Sequence, residues 1–216
     1  MLMVTWLLVL VLRWLEPPAT AFMLQQRPAG SQNAAYRYEW MDWRDLGSSA
    51  ALAVMAAEDQ RFPEHYGFDM AAIQNAVIGQ LDGRTLRGAS TITQQVAKNL
   101  FLWPGRSFFR KAIEAYFAAL IEITWSKQRI LEMYLNIAEF GPGIYGVPAA
   151  SRIYFGKSPV QLADAESALL AAVLPNPKQL HVDRPSAYVR ERQRWIMKHS
   201  ERLRRRAWLA RVSARK

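Results

Sequence analysis

From residue 50 to residue 175 the apolar residues recur at helical spacing, and this pattern limits the fold more than any other feature of the sequence. In STITQQVAKNLFL, for example, Ile92, Val96 and Leu100 fall at i, i+4 and i+8, on one face of a helix. Only YRYEWMDW has a strand-like composition. We therefore predict an all-α fold, with further helices over 50–57, from a cap at Asp69 to near Gly83, and within RSFFRKAIEAYFAALIEITW, KQRILEMYLN and QLADAESALLAAVLPNP.

Length and composition indicate one domain. The chain has 216 residues, of which 51% are hydrophobic, so it can bury one good-sized core. It contains no cysteine, which excludes disulfides, cysteine-ligated zinc and thiol catalysis. No composition shift, internal repeat or low-complexity segment marks a second domain.

The formal charge of +10 is concentrated at the C-terminus, where residues 190–216 hold eleven Lys and Arg but only two Glu. We interpret 190–216 first as a solvated basic tail. Contact with an anionic membrane surface is the second interpretation, because Trp208, Leu209 and Val212 alternate with cations. Nucleic-acid binding is the third, and we do not expect it.

The N-terminal segment MLMVTWLLVLVLRWL is almost wholly apolar. It is shorter than the ~20 residues of a spanning helix, and it lacks the basic start and cleavage site of a signal peptide. We predict an uncleaved transmembrane anchor over 1–15 that lacks its cytoplasmic flank. A linker over 16–35, the main domain over 36–189 and the basic tail would follow it.

The stretch AAEDQRFPEHYGFD places Glu58 and Asp59 at the end of an alanine-rich helix. A solvated helix end is the simple interpretation, but the helix dipole disfavours acids at that end, and a buried carboxylate is costly without a partner. The pair therefore favours a functional site slightly. His65 has no His or Cys at ligand spacing, so we expect it to brace this loop rather than to bind a metal.

Two further features suggest a site. Thr91, Gln94, Gln95 and Lys98 form a polar helical face without an acid, which suits hydroxyls and phosphates better than an ordinary solvated face does. Glu114 lies among Ala and aromatic residues. It is either a partly buried structural acid or a second carboxylate of the site.

Several motifs in order resemble one known family. They are Glu58-Asp59-x-x-Phe62-x-x-His65-x-Gly67-x-Asp69, GASTITQQVAKN, RKAIE, SKQRILEMYLN and GIYGVPAASRIYFGKS. Over about residues 50–177 the chain resembles the peptidoglycan glycosyltransferases, and PPATAFML resembles a segment of their single-domain, monofunctional form. The resemblance implies a lysozyme-like, all-α glycosyltransferase domain preceded by a transmembrane helix, on the periplasmic side of the inner membrane.

The resemblance also implies a reaction and a set of residues. The 4-hydroxyl of lipid II attacks the anomeric carbon of the growing lipid-linked glycan, forms a β-1,4 linkage with inversion and releases undecaprenyl diphosphate. Glu58 matches the base and Glu114 a supporting glutamate, while Lys98, Arg110 and Lys111 match cations that bind the diphosphate. The other matching substrate-binding positions are Asp59, Phe62, His65, Ser90, Thr91, Gln94, Gln95 and Asn99.

The same resemblance sets expectations for cofactors and partners. No cofactor is required, although a divalent cation such as Mg²⁺ or Mn²⁺ could stimulate the reaction by bridging the diphosphate. The expected partners are lipid II, the growing glycan, inner-membrane lipids and other cell-wall synthases and division proteins.

Two rival interpretations remain. A lysozyme-like hydrolase would also use one glutamate, but it has no diphosphate to bind, so Lys98, Arg110 and Lys111 favour synthesis. A non-enzymatic, membrane-anchored binder of anionic polymers would leave the Glu58, Gln95 and Glu114 motifs unexplained.

Overall fold

The chain folds into a mostly helical domain in a computed structural model that describes residues 2–25, 36–81, 90–105 and 107–215. Its helices are α1 (Leu2–Val11), α2 (Ala21–Gln25), α3 (Ser48–Glu58), α4 (Met70–Leu81), α5 (Ile92–Phe101), α6 (Phe108–Thr124), α7 (Lys127–Ile137), α8 (Gly146–Phe155), α9 (Asp164–Val173), α10 (Ala187–Arg205) and α11 (Trp208–Ala214). A 3-10 turn spans Pro159–Gln161. The predicted helices are confirmed, and the architecture is consistent with a lysozyme-like fold.

Helix α3 lies at the centre of the core. All seven residues from Ala50 to Ala56 are buried, and α7, α9 and α10 pack against this helix. The alanines explain the arrangement, because small side chains allow neighbouring helices to approach closely while still burying apolar surface. Since α3 ends at Glu58, the core itself fixes where this carboxylate lies.

Side-chain caps determine where the helices near Glu58 begin. Asp69 accepts a hydrogen bond from the Ala72 amide before α4, as the sequence predicts. Ser126 accepts one from the Arg129 amide before α7. Ser107 caps α6 in the same way. These caps fix the register of the helices that carry the polar residues.

A small three-stranded sheet corrects the all-α prediction. Strand β1 (Arg37–Tyr38) pairs in parallel with β3 (Ile144–Tyr145), and β2 (Glu139–Gly141) pairs with β3 in antiparallel orientation. The strand-like YRYEWMDW thus supplies only two residues, and the glycine-containing stretch EFGPGIY forms the β2–β3 hairpin. Strands of two or three residues cannot display a period of two, so the sequence pattern could not reveal them.

The N-terminal helix packs on the domain. Val9 of α1 is buried, its carbonyl accepts a hydrogen bond from Trp125 Nε1 (2.8 Å), and Arg129 donates to the carbonyls of Leu12 and Leu15. At ten residues α1 is only about 15 Å long, half of a typical hydrocarbon core. None of the described helices is long and apolar enough to cross a membrane, so the predicted transmembrane helix over 1–15 is not found.

Part of the segment predicted to be a linker is helical. Its residues 21–25 form α2, whose Met23 is buried and which packs against α5. Residues 26–35 of the predicted linker lie outside the described part of the chain.

The apolar side of the C-terminal segment packs against the rest of the domain. The interpretation of the whole segment as a solvated tail is therefore wrong. Helix α10 packs on α3 and α9, and buried residues continue into α11. The many charged residues of the segment surround an apolar stripe at helical spacing, which we did not recognise from the sequence. Its buried apolar members are Val189, Ile196, Leu203, Trp208 and Val212.

Candidate active site

Glu58 occupies a nearly enclosed position at the end of α3, where its side chain is only 14% exposed. Gln95 Nε2 of α5 donates a hydrogen bond to Glu58 Oε2 (2.8 Å). The Tyr134 hydroxyl of α7 in turn donates to Gln95 Oε1 (3.1 Å). Arg192 of α10 lies 3.4 Å from Oε1. Four helices therefore converge on one carboxylate.

Burial raises the pKa of Glu58 above the ordinary value of a glutamate. The Gln95 hydrogen bond opposes this rise, as do the positive charges of Arg192 and Lys98, and the negative charge of Asp59 adds a small further rise. Desolvation, rather than the neighbouring charge of Asp59, is therefore the main cause of the raised pKa. A carboxylate whose pKa is raised in this way takes up a proton more readily than an ordinary glutamate does, which suits it to act as a general base.

Asp59, Phe62 and His65 brace the loop that follows Glu58. Both carboxylate oxygens of Asp59 lie within 3.0 Å of His65 Nε2, and Oδ2 also accepts the Ile92 amide (3.1 Å). Phe62 is fully buried and meets the His65 ring edge-on. The expectation that His65 braces this loop agrees with these contacts, which also tie the end of α3 to the start of α5.

Polar residues near the start of α5 divide into two groups. Thr91 and Gln94 form a capping box, and Thr91 also donates to the Gly67 carbonyl (2.6 Å), so their hydrogen-bonding groups are used within the fold. Ser90 is exposed beside Glu58. Asn99 is buried on α5. The structure therefore brings Ser90 and Gln95, but not Gln94, to the carboxylate.

A second cluster of charges lies at the start of α6. Glu114 is buried, accepts a hydrogen bond from Arg110 Nη1 (2.9 Å) and forms an ion pair with Lys111. Burial lowers the pKa of Lys98 on α5, while the negative charges of Glu114 and Glu58 both oppose this fall. Lys98 thus interacts electrostatically with both carboxylates and links the two clusters.

A cleft with two lobes opens at Glu58. The larger lobe, about 670 Å³, is lined by Glu58, Ser90, Gln95 and the α10 residues Tyr188, Glu191, Arg192 and Trp195. The smaller lobe, about 320 Å³, shares Glu58, Ser90 and Trp195 and extends along Asp59, Asp69 and α4. A cleft of this size, with one poised carboxyl group and several hydrogen-bonding groups, is suited to an extended polar substrate.

Sequence reasoning missed Arg192, because it lies within the segment assigned to the basic tail. One signal could have revealed it: Arg192 falls three residues after Val189 and four before Ile196, on the buried stripe of α10. A cation on an apolar stripe needs a partner, and here the partner is Glu58.

Within the described residues, no group of three or more acidic, His or Cys side chains is arranged to hold a metal ion. The prediction that no cofactor is required stays a prediction.

Comparison with known proteins identifies the family. The family model described as Transglycosylase matches residues 25–201. The chain belongs to the transglycosylase family. A relative from Ectopseudomonas mendocina (strain ymp), named biosynthetic peptidoglycan transglycosylase, is 50% identical over 200 residues, which cover 91% of this chain and 83% of that protein. A relative of the same name from Pasteurella multocida (strain Pm70) is 52% identical over 194 residues, covering 88% and 79%.

Membership of the transglycosylase family confirms the resemblance inferred from the motifs, and with it the prediction that the protein is a glycosyltransferase. The match extends to residue 201, so the family domain includes most of α10 and its residue Arg192.

Proposed function

We propose that this transglycosylase polymerises the glycan of peptidoglycan from lipid II. The central observation is a buried, uncommonly basic carboxyl group at the wall of a cleft, with a cluster of cations linked to it through Lys98. Both parts are needed for an inverting transfer, which requires a base for the incoming hydroxyl and positive charge for the departing diphosphate.

In the proposed reaction, Glu58 removes the proton from the 4-hydroxyl of the incoming lipid II. The oxygen then bonds to the anomeric carbon of the growing chain as the bond from that carbon to the diphosphate oxygen breaks. The diphosphate leaves with the bonding electron pair, and the new linkage is β-1,4. Gln95 and Arg192 hold the Glu58 carboxylate during this step, because each binds a different oxygen.

The cations would stabilise the leaving group. Arg110 can bind phosphate oxygens through two N–H groups, whereas Lys98 and Lys111 act as point charges. Glu114 is proposed to hold Arg110 and Lys111 in place by ion pairing. A hydrolase acting on finished glycan would gain nothing from this cluster.

Membrane association is part of the proposal, because a lipid-linked substrate must be reached at a bilayer surface. Several apolar residues of α1 and α6 are exposed, with Phe108 at 98% exposure. Exposed apolar residues of this size are typical of membrane or protein contacts. We place the domain on the periplasmic side of the inner membrane. Flotation with anionic vesicles would test its association with a membrane.

Incubation with purified lipid II as the sole substrate tests the function. We expect glycan polymer and released undecaprenyl diphosphate. A parallel incubation with finished, uncrosslinked glycan should leave it intact. Cleavage of finished glycan without polymer from lipid II would identify a hydrolase, and no change in either assay would favour a binding protein.

A further inference from the structure

Helix α10 presents two exposed aromatic side chains to the cleft. Tyr188 is 54% and Trp195 43% exposed, and both line the lobe that contains Glu58. They are seven residues apart, so they share a face of the helix and are separated by about 10.5 Å along its axis. This separation is similar to the length of one disaccharide unit in an extended β-1,4-linked glycan.

Local contacts fix the orientation of Trp195. His199, one turn later, stacks on one face of the indole with ring centroids 3.9 Å apart and donates from Nδ1 to the Trp195 carbonyl (2.8 Å). On either side of Trp195, Gln193 donates to the Ala165 carbonyl of α9 and Ile196 is fully buried. The helix therefore cannot easily rotate, and Trp195 remains at the cleft.

The chemistry of the lobe favours a carbohydrate over a lipid tail. Glu191 lies between the two aromatic residues, and Arg192 and Glu58 line the same space, so a hydrocarbon chain would desolvate charges without pairing them. Pyranose rings, in contrast, pack their C–H faces on aromatic rings and offer hydroxyls to carboxylates. An exposed aromatic ring with a polar neighbour on the same helix face satisfies both needs.

We propose that Tyr188, Glu191 and Trp195 of α10 form a stacking platform that binds two or more consecutive sugar rings of a β-1,4-linked glycan beside Glu58. The identification of the natural ligand as the peptidoglycan strand, or its disaccharide unit, rests on the proposed function. The platform itself rests on the placement of the α10 side chains in the cleft. It would hold the sugar chain in register with the carboxylate.

Binding of a soluble tetramer of β-1,4-linked N-acetylglucosamine tests the platform without any lipid-linked substrate. We would measure it by titration calorimetry and by saturation transfer from protein to ligand in NMR spectra. Trp195→Ala and Tyr188→Ala should each weaken binding by about ten-fold, equivalent to ~1.4 kcal/mol. Trp195→Phe, which keeps an aromatic face, should retain most of the affinity. Trp14→Ala, an exposed tryptophan outside the cleft lining, is the matched control and should bind as wild type.

Steady-state kinetics with lipid II separates binding from structural damage. Loss of the platform should raise KM with little change in kcat, because stacking acts on the bound sugar both before and during the reaction. A structural role would lower the melting temperature and kcat together. Because Tyr188 is more than half exposed, Tyr188→Ala provides a folded variant even if Trp195→Ala is unstable.

The outcomes separate the two proposals. Tetramer binding that is absent in the wild type, or unchanged in both alanine variants, would overturn the platform and leave the polymerase proposal intact. If tetramer binding depends on Trp195 while lipid II gives no polymer, the platform stands and the polymerase proposal fails.

Discussion

Glu58 and Glu114 are both buried glutamates in a charged neighbourhood, yet their partners differ sharply. Glu114 is 4% exposed and contacts two cations, Arg110 and Lys111, so its negative charge is fully matched. Glu58 is 14% exposed and receives one neutral hydrogen bond from Gln95 and one long contact from Arg192. The negative charge of Glu114 is therefore balanced by neighbouring cations, whereas that of Glu58 is only partly balanced.

This difference supports the different tasks that we propose for the two glutamates. A carboxylate whose charge is balanced by two cations holds those cations in place, as Glu114 does with Arg110 and Lys111. A carboxyl group in a desolvated site with weaker compensation gains proton affinity, as the raised pKa of Glu58 shows. Pairs of acids separated in this way typically divide catalytic roles between them.

The largest expected effect is on turnover by Glu58→Gln. Glutamine keeps the size of the side chain and one acceptor oxygen but cannot accept the hydroxyl proton. Because a positioned general base contributes ~10²–10⁴-fold, polymerisation of lipid II should fall by about that factor while donor binding persists. The measurement is single-variant turnover at matched folding, judged by circular dichroism. Near wild-type turnover would show that the acidic pair at the end of α3 is only a helix terminus.

The same substitution at Glu114 should act less on turnover and more on stability. Glu114→Gln leaves Arg110 with a weaker, neutral partner in a buried position, and the ion pair with Lys111 adds little because that side chain is half exposed. We expect a loss of about 2 kcal/mol, or about 4–8 °C in Tm. Residual turnover should exceed that of Glu58→Gln. A Glu114→Gln protein that is as inactive as Glu58→Gln but as stable as wild type would show that Glu114 acts in the reaction rather than in holding the cations.

The sequence predicted one part of this comparison better than the other. The helices, their caps and the positions of Glu58 and Glu114 follow from helical periodicity and contiguous motifs, which are local properties. The contact of Arg192 with Glu58 joins residues 134 positions apart, and the surrounding cations disguised the buried stripe of α10. The short strands and the packing of α1 depend on similarly distant contacts, for which local pattern gives no information.

Arg192 provides a finer test, because it accounts for part of the compensation at Glu58. The charged and titratable groups whose influence reaches Glu58 are Asp59 on its own loop, Lys98 of α5, Tyr134 of α7 and Arg192 of α10. Positive charge from Arg192 lowers the pKa of Glu58, so Arg192→Gln should raise it further. The ascending limb of kcat/KM against pH should therefore move to higher pH.

Two variants control this pH experiment. Arg192→Lys retains the charge and should move the limb less, whereas Arg204→Gln, which removes a cation paired with Asp164 elsewhere on α10, should leave it in place. A limb that does not move in Arg192→Gln would mean that Arg192 has no electrostatic influence on the base.

The smallest expected effect is on stability: Glu58→Gln should stabilise the protein, whereas Glu114→Gln should destabilise it. Because the folded-state pKa of Glu58 is raised, the cost of burying its charge is absent below the unfolded pKa of ~4.3 and grows as pH rises through the folded value. Glutamine carries no charge, so Glu58→Gln should be more stable than wild type at pH 7.5. We expect an increase of about 2–4 °C in Tm, corresponding to ~1 kcal/mol, which should shrink towards zero near pH 4. Differential scanning calorimetry at both pH values makes the comparison, with Glu114→Gln as the matched substitution. If Glu58→Gln instead lowers the Tm at pH 7.5 as Glu114→Gln does, the Glu58 carboxylate is well compensated, and the two buried glutamates do not differ in the way proposed.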